Sequence, residues 1–243
     1  MTEHQHYQFT TMWYPVDETG ECFRVGLRAN EPYEEISCLY PLWGKTFLSF
    51  EGITQTHVDI SNYLFENTWF PYVVCAIYFA AIFLGQKYMV NRPAWNWRGP
   101  MAAWNLGLAI FSMWGFARVA PQLAHNVYHY GWRATLSADP ASMIGVGSTA
   151  HWVMMFILSK FVELFDTFFI VIHKKQLMFL HWYHHITVLL FCWHSWVNEQ
   201  PMGIVFCAVN YAVHSVMYFY YFLMAVKCKP KWFNPQVCNT NIL

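Results

Sequence analysis

Residues 69–85 read WFPYVVCAIYFAAIFLG and contain no charged side chain. A helix of this length extends about 25 Å, which is close to the thickness of the hydrocarbon core of a bilayer. Residues 101–117, MAAWNLGLAIFSMWGFA, form a second uncharged stretch. Both stretches predict transmembrane helices, since a core helix of a soluble domain rarely stays uncharged over such a length.

Three further apolar stretches follow, each interrupted by a few polar or ionisable side chains: residues 151–172, 177–197 and 202–226. An ionisable residue in hydrocarbon costs several kcal/mol unless it is paired or hydrated, so such residues are candidates for function. A structural ion pair is the alternative for Lys160 with Glu163 or Asp166. The five stretches together predict an all-α, polytopic membrane helix bundle with five transmembrane helices.

The composition agrees with a membrane protein. Hydrophobic residues make up 56% of the 243 residues and charged residues only 12%, whereas a soluble domain carries about 25% charged residues. This excludes disorder, coiled coil and collagen, and it disfavours a soluble enzyme. No basic tract or zinc-finger spacing indicates a nucleic-acid partner. The seven cysteines include no CxxC pair and are interpreted as reduced thiols.

The first 66 residues differ from the rest of the chain. They hold ten of the fourteen acidic residues and mix Pro, Gly and aromatic residues without a sustained period. The N-terminus has no basic segment leading into an apolar run, so it does not resemble a cleavable signal peptide. We predict a loop-like or partly ordered lumenal extension over residues 1–66 and a membrane domain over residues 67–243.

The basic residues indicate an orientation. Eight of them follow the first, third and fifth apolar stretches: Lys87, Arg92, Arg98, Lys174, Lys175, Lys227, Lys229 and Lys231. The connections on the other side contain two, Arg118 and Arg133. Because cytoplasmic loops carry an excess of Lys and Arg, the three basic segments are predicted to be cytosolic. The N-terminus and a long loop over residues 118–150 are then lumenal.

The fourth stretch opens with the residues HWYHH, which contain His181, His184 and His185. Spacings of three and four residues place the three imidazoles on one face of a helix. Such a stripe can ligate a metal or perform acid–base and nucleophilic chemistry. Hydrogen-bonded histidines with a structural role are the alternative.

The neighbouring stretches each add a polar stripe at helical spacing. The third contains Lys160, Glu163, Asp166 and Thr167, and the fifth contains Asn210, His214, Tyr218 and Tyr221. A cation with two carboxylates can orient histidines or hold a polar ligand. Three consecutive predicted helices therefore present polar groups at overlapping depths, which predicts a polar site inside the membrane bundle, in its cytosolic half.

Three motifs in order resemble a known family. They are KxxExxDT at residues 160–167, HxxHH within LHWYHHITV, and NxxxHxxMYxYY at residues 210–221. Together they resemble the very-long-chain fatty acid elongases, the ELO condensing enzymes, over about residues 67–236. Trp182 in HWYHH is similar to the branch that acts on saturated and monounsaturated acyl chains.

The resemblance implies a multi-pass enzyme of the endoplasmic reticulum membrane, a very-long-chain 3-oxoacyl-CoA synthase of the acyltransferase class. It joins a long-chain acyl-CoA with malonyl-CoA to give a 3-oxoacyl-CoA two carbons longer, carbon dioxide and CoA. No cofactor or metal is expected beyond these substrates. The acyl chain is expected in a narrow, apolar tunnel. The implied partners are membrane lipid, a ketoacyl reductase, a dehydratase and an enoyl reductase, with a homodimer expected by analogy.

The resemblance also implies residue roles. The expected catalytic residues are the four histidines His181, His184, His185 and His214. His184 is expected to be the base or the covalent acyl acceptor, with His181 and His185 orienting it or assisting decarboxylation. Glu163 and Asp166 are expected to fix tautomers. The remaining residues expected to bind or orient the substrate are Lys160, Thr167, Asn210, Tyr218 and Tyr221. Lys174 and Lys175 are expected at a mouth that takes CoA, and Cys192 and Cys207 are interpreted as core residues rather than nucleophiles.

The end of the sequence departs from the family pattern. Members usually have seven spans, and residues 229–237, KPKWFNPQV, match the run that introduces the sixth. We therefore expect this chain alone to be an inactive or unstable truncated form, and a version with two more spans to be an active elongase. A partner chain or dimer contact that covers the gap is the alternative.

Two other functions stay open at this point. A diiron desaturase or hydroxylase also carries histidine boxes, but His125 and His129 would lie across about 30 Å of hydrocarbon from the HWYHH run. A non-catalytic carrier or regulatory subunit would explain the charges in the third stretch, although it would not require a triple histidine.

Overall fold

The computed structural model describes residues 23–25, 32–34, 36, 40, 55–138, 140–144, 147–198, 200 and 202–227. These residues form eight helices and two short antiparallel strands. The strands are β1 (Phe23–Val25) and β2 (Pro32–Glu34). The helices are α1 (Gln55–Glu66), α2 (Phe70–Met89), α3 (Arg98–Ser137), α4 (Pro140–Ile144), α5 (Ser148–Glu163), α6 (Asp166–Ile172), α7 (Phe179–Val197) and α8 (Gly203–Ala225).

The predicted all-helical class is confirmed apart from the two short strands. Among the described residues, α2 and α8 are long and apolar enough to cross a membrane. Large apolar side chains such as Ile77 and Leu84 of α2 and Val216 of α8 are exposed on the outside, as contact with lipid requires. Helices α3, α5 with α6, and α7 cover the other three predicted stretches, and their crossing of the membrane stays a prediction.

The prediction of a long loop over residues 118–150 is wrong for most of that segment. Helix α3 continues to Ser137, with a kink at Gly131, where φ is +80°. Its polar residues Gln122 and Asn126 do not mark a loop, because they are buried and satisfied. The Gln122 side chain donates to Asn126 Oδ1 (2.9 Å), and Asn126 donates to the Met143 carbonyl (2.8 Å).

The third predicted stretch is not one helix. Helix α5 ends at Glu163 and α6 begins at Asp166, with a turn at Leu164 and Phe165. Lys160 and Glu163 therefore lie on α5 and Asp166 on α6, although Leu164 and Phe165 between them keep right-handed helical dihedral angles.

Residues 1–66 contain more regular structure than the sequence indicates. The described part includes the strand pair and α1, a helix of 12 residues. The division of the chain at residue 66 stays a prediction.

The centre of the bundle is the contact between α3 and α8. The largest described core cluster joins these two helices to α5 and α7, with Val119, Phe156, Cys192, Ile204 and Tyr211 among its buried members. Gly115 of α3 permits the close approach. An added Cβ there would lie 2.6 Å from the Cε1 and Cε2 atoms of Tyr211, so the two helices could not pack at this distance with any larger residue.

The basic segments meet at one end of the bundle. The Lys174 ammonium donates to the carbonyls of Val90 (3.0 Å) and Arg92 (3.1 Å). Arg98 donates to the carbonyl of Ala225, at the end of α8 (3.1 Å). The segments after α2, after α6 and at the end of α8 thus lie on the same side, as the charge distribution predicted. Which side of a membrane this is stays a prediction.

Candidate active site

A cavity of about 690 Å³ opens at this end of the bundle, with walls from α3, α6, α7 and α8. Most of its wall is apolar, including Phe169, Ile170, Phe206, Val209 and Val213. Nine of the residues predicted for the site line it: Asp166, Lys175, His181, His184, His185, Asn210, His214, Tyr218 and Tyr221. The other four, Lys160, Glu163, Thr167 and Lys174, do not line it.

The histidines form the polar centre of the cavity. Because α7 begins at Phe179, His181, His184 and His185 lie in its first two turns. The ring centroids of His181 and His185 are 4.6 Å apart, and those of His184 and His185 are 5.8 Å apart. His184 is exposed, whereas His214 of α8 is buried. Four imidazoles from two helices therefore surround one space.

Asp166 lies at the break before α6 and joins three helices. Trp104 Nε1 of α3 donates to Asp166 Oδ1 (2.6 Å), and the Tyr218 hydroxyl of α8 donates to Oδ2 (2.6 Å). The carboxylate therefore binds an indole and a phenol, and it makes no hydrogen bond to a histidine in the described structure. Its expected role in fixing a histidine tautomer is not supported by this geometry.

Lys160 and Glu163 form a buried ion pair behind the cavity. Lys160 Nζ lies 2.6 Å from Glu163 Oε1 and 3.2 Å from Asn210 Oδ1. Ser159 Oγ also donates to Glu163 Oε1 (3.0 Å), and His214 Nδ1 lies 3.8 Å from the same oxygen. The structural ion pair left open by the sequence is therefore present. The ion pair is connected to the cavity by Asn210 and His214, which line the cavity and lie near Lys160 and Glu163 respectively.

Thr167 connects two helices to the histidine cluster. Its hydroxyl lies 2.6 Å from the Tyr78 hydroxyl of α2 and 3.0 Å from His181 Nε2. Thr167 therefore contacts a histidine rather than the space that a substrate would occupy.

The two predicted lysines at the mouth behave differently. Lys175 lines the cavity, whereas the Lys174 ammonium donates to two backbone carbonyls in the segment between α2 and α3. Arg98 is the further basic residue of the cavity wall. Arginine suits phosphate recognition because its guanidinium presents several donors in a fixed plane.

Sequence reasoning missed three polar residues near the site: Tyr78, Trp104 and Asn105. Tyr78 and Trp104 lie within uncharged aromatic stretches, where nothing distinguishes them from lipid-facing residues. Asn105 is the first amide in its apolar stretch and could have been identified as an inward-facing residue. It is buried and lines the cavity.

His125 and His129 do not line the cavity that holds the four-histidine cluster. They line a second cavity with Tyr40 and Pro121, and His125 lies 21 residues along α3 from Trp104, a rise of about 30 Å. The two histidine groups therefore cannot share a metal site. Within the described residues, no group of three or more His, Cys, Asp or Glu could hold a metal ion.

Cys192 and Cys207 are buried in the apolar core cluster and do not line the main cavity. A thiol nucleophile would need access to the substrate. Their positions therefore support the interpretation as core residues.

Most of this chain is similar in sequence to known proteins. Residues 63–243 match the family described as ELO: GNS1/SUR4 family. "Very long chain fatty acid elongase 6" of Drosophila melanogaster is 43% identical over 177 residues, which is 73% of this chain and 56% of the relative. The protein of the same name in Gallus gallus is 41% identical over 176 residues, 72% of this chain and 65% of the relative.

"Very long chain fatty acid elongase 3" of Mus musculus is 37% identical over 183 residues, 75% of this chain and 67% of the relative. The chain spans about half the length of the Drosophila melanogaster relative. Because the family match covers well over half of the 243 residues, the chain belongs to the ELO: GNS1/SUR4 family.

Proposed function

We propose that this chain carries the condensing site of a fatty acid elongase. The reaction joins a long-chain saturated or monounsaturated acyl-CoA with malonyl-CoA and yields a 3-oxoacyl-CoA two carbons longer, carbon dioxide and CoA. The observation that carries the proposal is the group of four histidines around a single, mostly apolar cavity. The names of the relatives support the same chemistry.

The cavity has the groups that such a condensation needs. An imidazole can attack the acyl thioester, so that the acyl C–S bond breaks and CoA leaves as a thiol with the imidazole proton. Loss of carbon dioxide from the malonyl group then leaves a carbanion, which attacks the acyl carbon and breaks the acyl–nitrogen bond, and the released imidazole takes up a proton from water. His184 is the proposed acyl acceptor or base because it lines the cavity and is the exposed member of the cluster.

The remaining wall suits the rest of the substrate. The apolar side chains of α8 that line the cavity, Phe206, Val209 and Val213, would hold the acyl chain. Arg98 and Lys175 would hold the phosphates of CoA at the mouth. Asn210, Tyr218 and Tyr221 would contact polar groups near the reacting carbons.

The proposal includes the setting of the reaction. The site would face the cytosol from the endoplasmic reticulum membrane. A reductase, a dehydratase and an enoyl reductase would take the 3-oxo product through the later steps of elongation, and a homodimer is a proposed assembly. No resident cofactor is proposed.

The test uses the chain and a version extended by two further spans, each expressed in microsomes of elongase-deficient cells, with labelled malonyl-CoA and a long-chain acyl-CoA. We expect label in a product two carbons longer from the extended version, and His184→Ala in that version to abolish it. His129→Ala is the matched control, because His129 lines the second cavity. Wild-type rates from His184→Ala would contradict the assignment. Mass spectrometry of an acylated imidazole separates a covalent acceptor from a base.

A further inference from the structure

Three side chains from three helices form a hydrogen-bonded line that ends at the histidine cluster. The hydroxyls of Tyr78 (α2) and Thr167 (α6) are 2.6 Å apart, and Thr167 Oγ1 lies 3.0 Å from His181 Nε2 (α7). Tyr78 is 7% exposed and Thr167 is 2% exposed. Among the described residues, these are the hydrogen bonds of both hydroxyls, and Thr167 makes none to its own helix backbone.

The requirement that each buried hydroxyl proton has an acceptor decides which group donates in these two hydrogen bonds. A buried hydroxyl proton without an acceptor costs free energy. If His181 Nε2 donated to Thr167, then either the Thr167 proton or the Tyr78 proton would have no acceptor. If Tyr78 donates to Thr167 and Thr167 donates to His181 Nε2, every proton has an acceptor. The second arrangement is therefore the stable one, and it requires a lone pair on Nε2.

We propose that Thr167, which accepts from Tyr78, fixes His181 as the neutral tautomer with its proton on Nδ1. Thr167 is thus a positioning residue. Since Nε2 is occupied, His181 serves the cavity as a hydrogen-bond donor from Nδ1 and not as the base or the acyl acceptor.

The role of that donor rests on the proposed function. His181 lines the cavity beside His184 and His185, and its Nδ1 makes no hydrogen bond within the described structure. A fixed N–H in such a place can stabilise negative charge on a thioester or enolate oxygen. His184 has no corresponding side-chain hydrogen bond among the described residues. The two histidines would accordingly have different roles, with His181 as a hydrogen-bond donor and His184 as the acyl acceptor or the base.

The direct test is nuclear magnetic resonance of the chain labelled with ¹⁵N-histidine in lipid nanodiscs. The His181 signals are identified by their absence from His181→Gln. We expect a protonated Nδ1 and a non-protonated Nε2 for His181. Thr167→Ser keeps the hydroxyl, and Tyr78→Phe leaves the Thr167 proton with His181 Nε2 as its acceptor, so both should retain this signature. Thr167→Val should give a mixture of tautomers. A protonated Nε2 in the wild-type chain, or a Thr167→Val spectrum identical to wild type, would overturn the proposal.

Kinetics supply a second readout. Thr167→Val should lower the kcat of condensation by about tenfold while the KM for acyl-CoA changes little, as expected for a residue that orients another. A change in KM alone would overturn the positioning role. If neither the chain nor the version extended by two further spans shows condensation, the proposed function fails, and the tautomer of His181 still decides the inference.

Discussion

At the scale of single residues, the site depends on buried charges whose partners must be present. The Glu163 Oε1 atom contacts Ser159 and Lys160 of its own helix, α5, and lies 3.8 Å from His214 Nδ1 of α8. The Lys160 ammonium also lies 4.3 Å from the centre of the Phe156 ring. A charge in such surroundings stays stable only while its counter-charge remains.

Removing that counter-charge is therefore expected to be costly. Glu163→Gln should lower the free energy of unfolding by about 3–5 kcal/mol, because it leaves the buried ammonium unpaired. The double variant Lys160→Met with Glu163→Gln is the control, and it should lose less than Glu163→Gln alone because no buried charge remains. Denaturant unfolding in detergent micelles, followed by tryptophan fluorescence, measures both. Equal losses in the two variants would show that the pair is not coupled.

Residue type and spacing predicted that the histidines lie together, but not which residues they and their neighbours contact. His181, His184 and His185 share a face because they are three and four residues apart, which is a local property of a helix. The bonds from Trp104 and Tyr218 to Asp166 join α3 and α8 to α6. Those contacts depend on how the helices pack against each other, and the spacing of residues within one helix carries no information about that packing.

At the scale of helices, two elements differ from the pattern in the sequence. Hydropathy predicted a break after residue 117, but α3 continues to Ser137. Its buried Gln122 donates to Asn126 within the helix, and Asn126 donates to the Met143 carbonyl of α4, a tertiary contact that hydropathy does not show. Hydropathy also predicted no change near residue 164, where α5 is followed by α6 across two residues that keep helical dihedral angles.

The contact between α3 and α8 provides a prediction about stability. Gly115→Ala would place its Cβ 2.6 Å from the Cε atoms of Tyr211. The Tyr211 ring is held by its hydrogen bond to the Trp152 carbonyl (2.8 Å) and cannot easily withdraw. We expect a loss of about 1–3 kcal/mol, typical of an overpacked core, measured by thermal unfolding in nanodiscs.

Gly107 on the same helix is the matched control, because an added Cβ there meets nothing within 4 Å. Gly107→Ala should be neutral or stabilising, since alanine favours a helix by about 0.5–1 kcal/mol over glycine. Similar unfolding temperatures for the two variants would refute the close-packing argument.

At the scale of the whole molecule, the cavity runs along α8 away from the basic end of the bundle. Its wall extends from Ala225, beside Arg98, to Phe206, which is 19 residues along the helix or about 28 Å. The polar lining residues of α8 lie between Asn210 and Tyr221, and Phe206 is the lining residue of α8 farthest from the basic end. A charged Arg98 at one end and an apolar Phe206 at the other suit a substrate with a charged head and an apolar chain.

Phe206 lies at the end of the cavity wall on α8, and under the proposed function we expect it to limit the length of the acyl chain. It packs against Phe156 and Phe191, with ring centroids 5.9 Å and 5.1 Å away. Phe206→Ala removes a ring about 12 Å beyond His214 along α8. We expect the products made from a series of acyl-CoA substrates to shift toward longer chains, as measured by gas chromatography of the released fatty acids. Phe191→Ala is the control, because Phe191 contacts Phe206 but does not line the cavity, and it should leave the distribution in place. An unchanged distribution in an active Phe206→Ala protein would mean that another part of the wall sets the length.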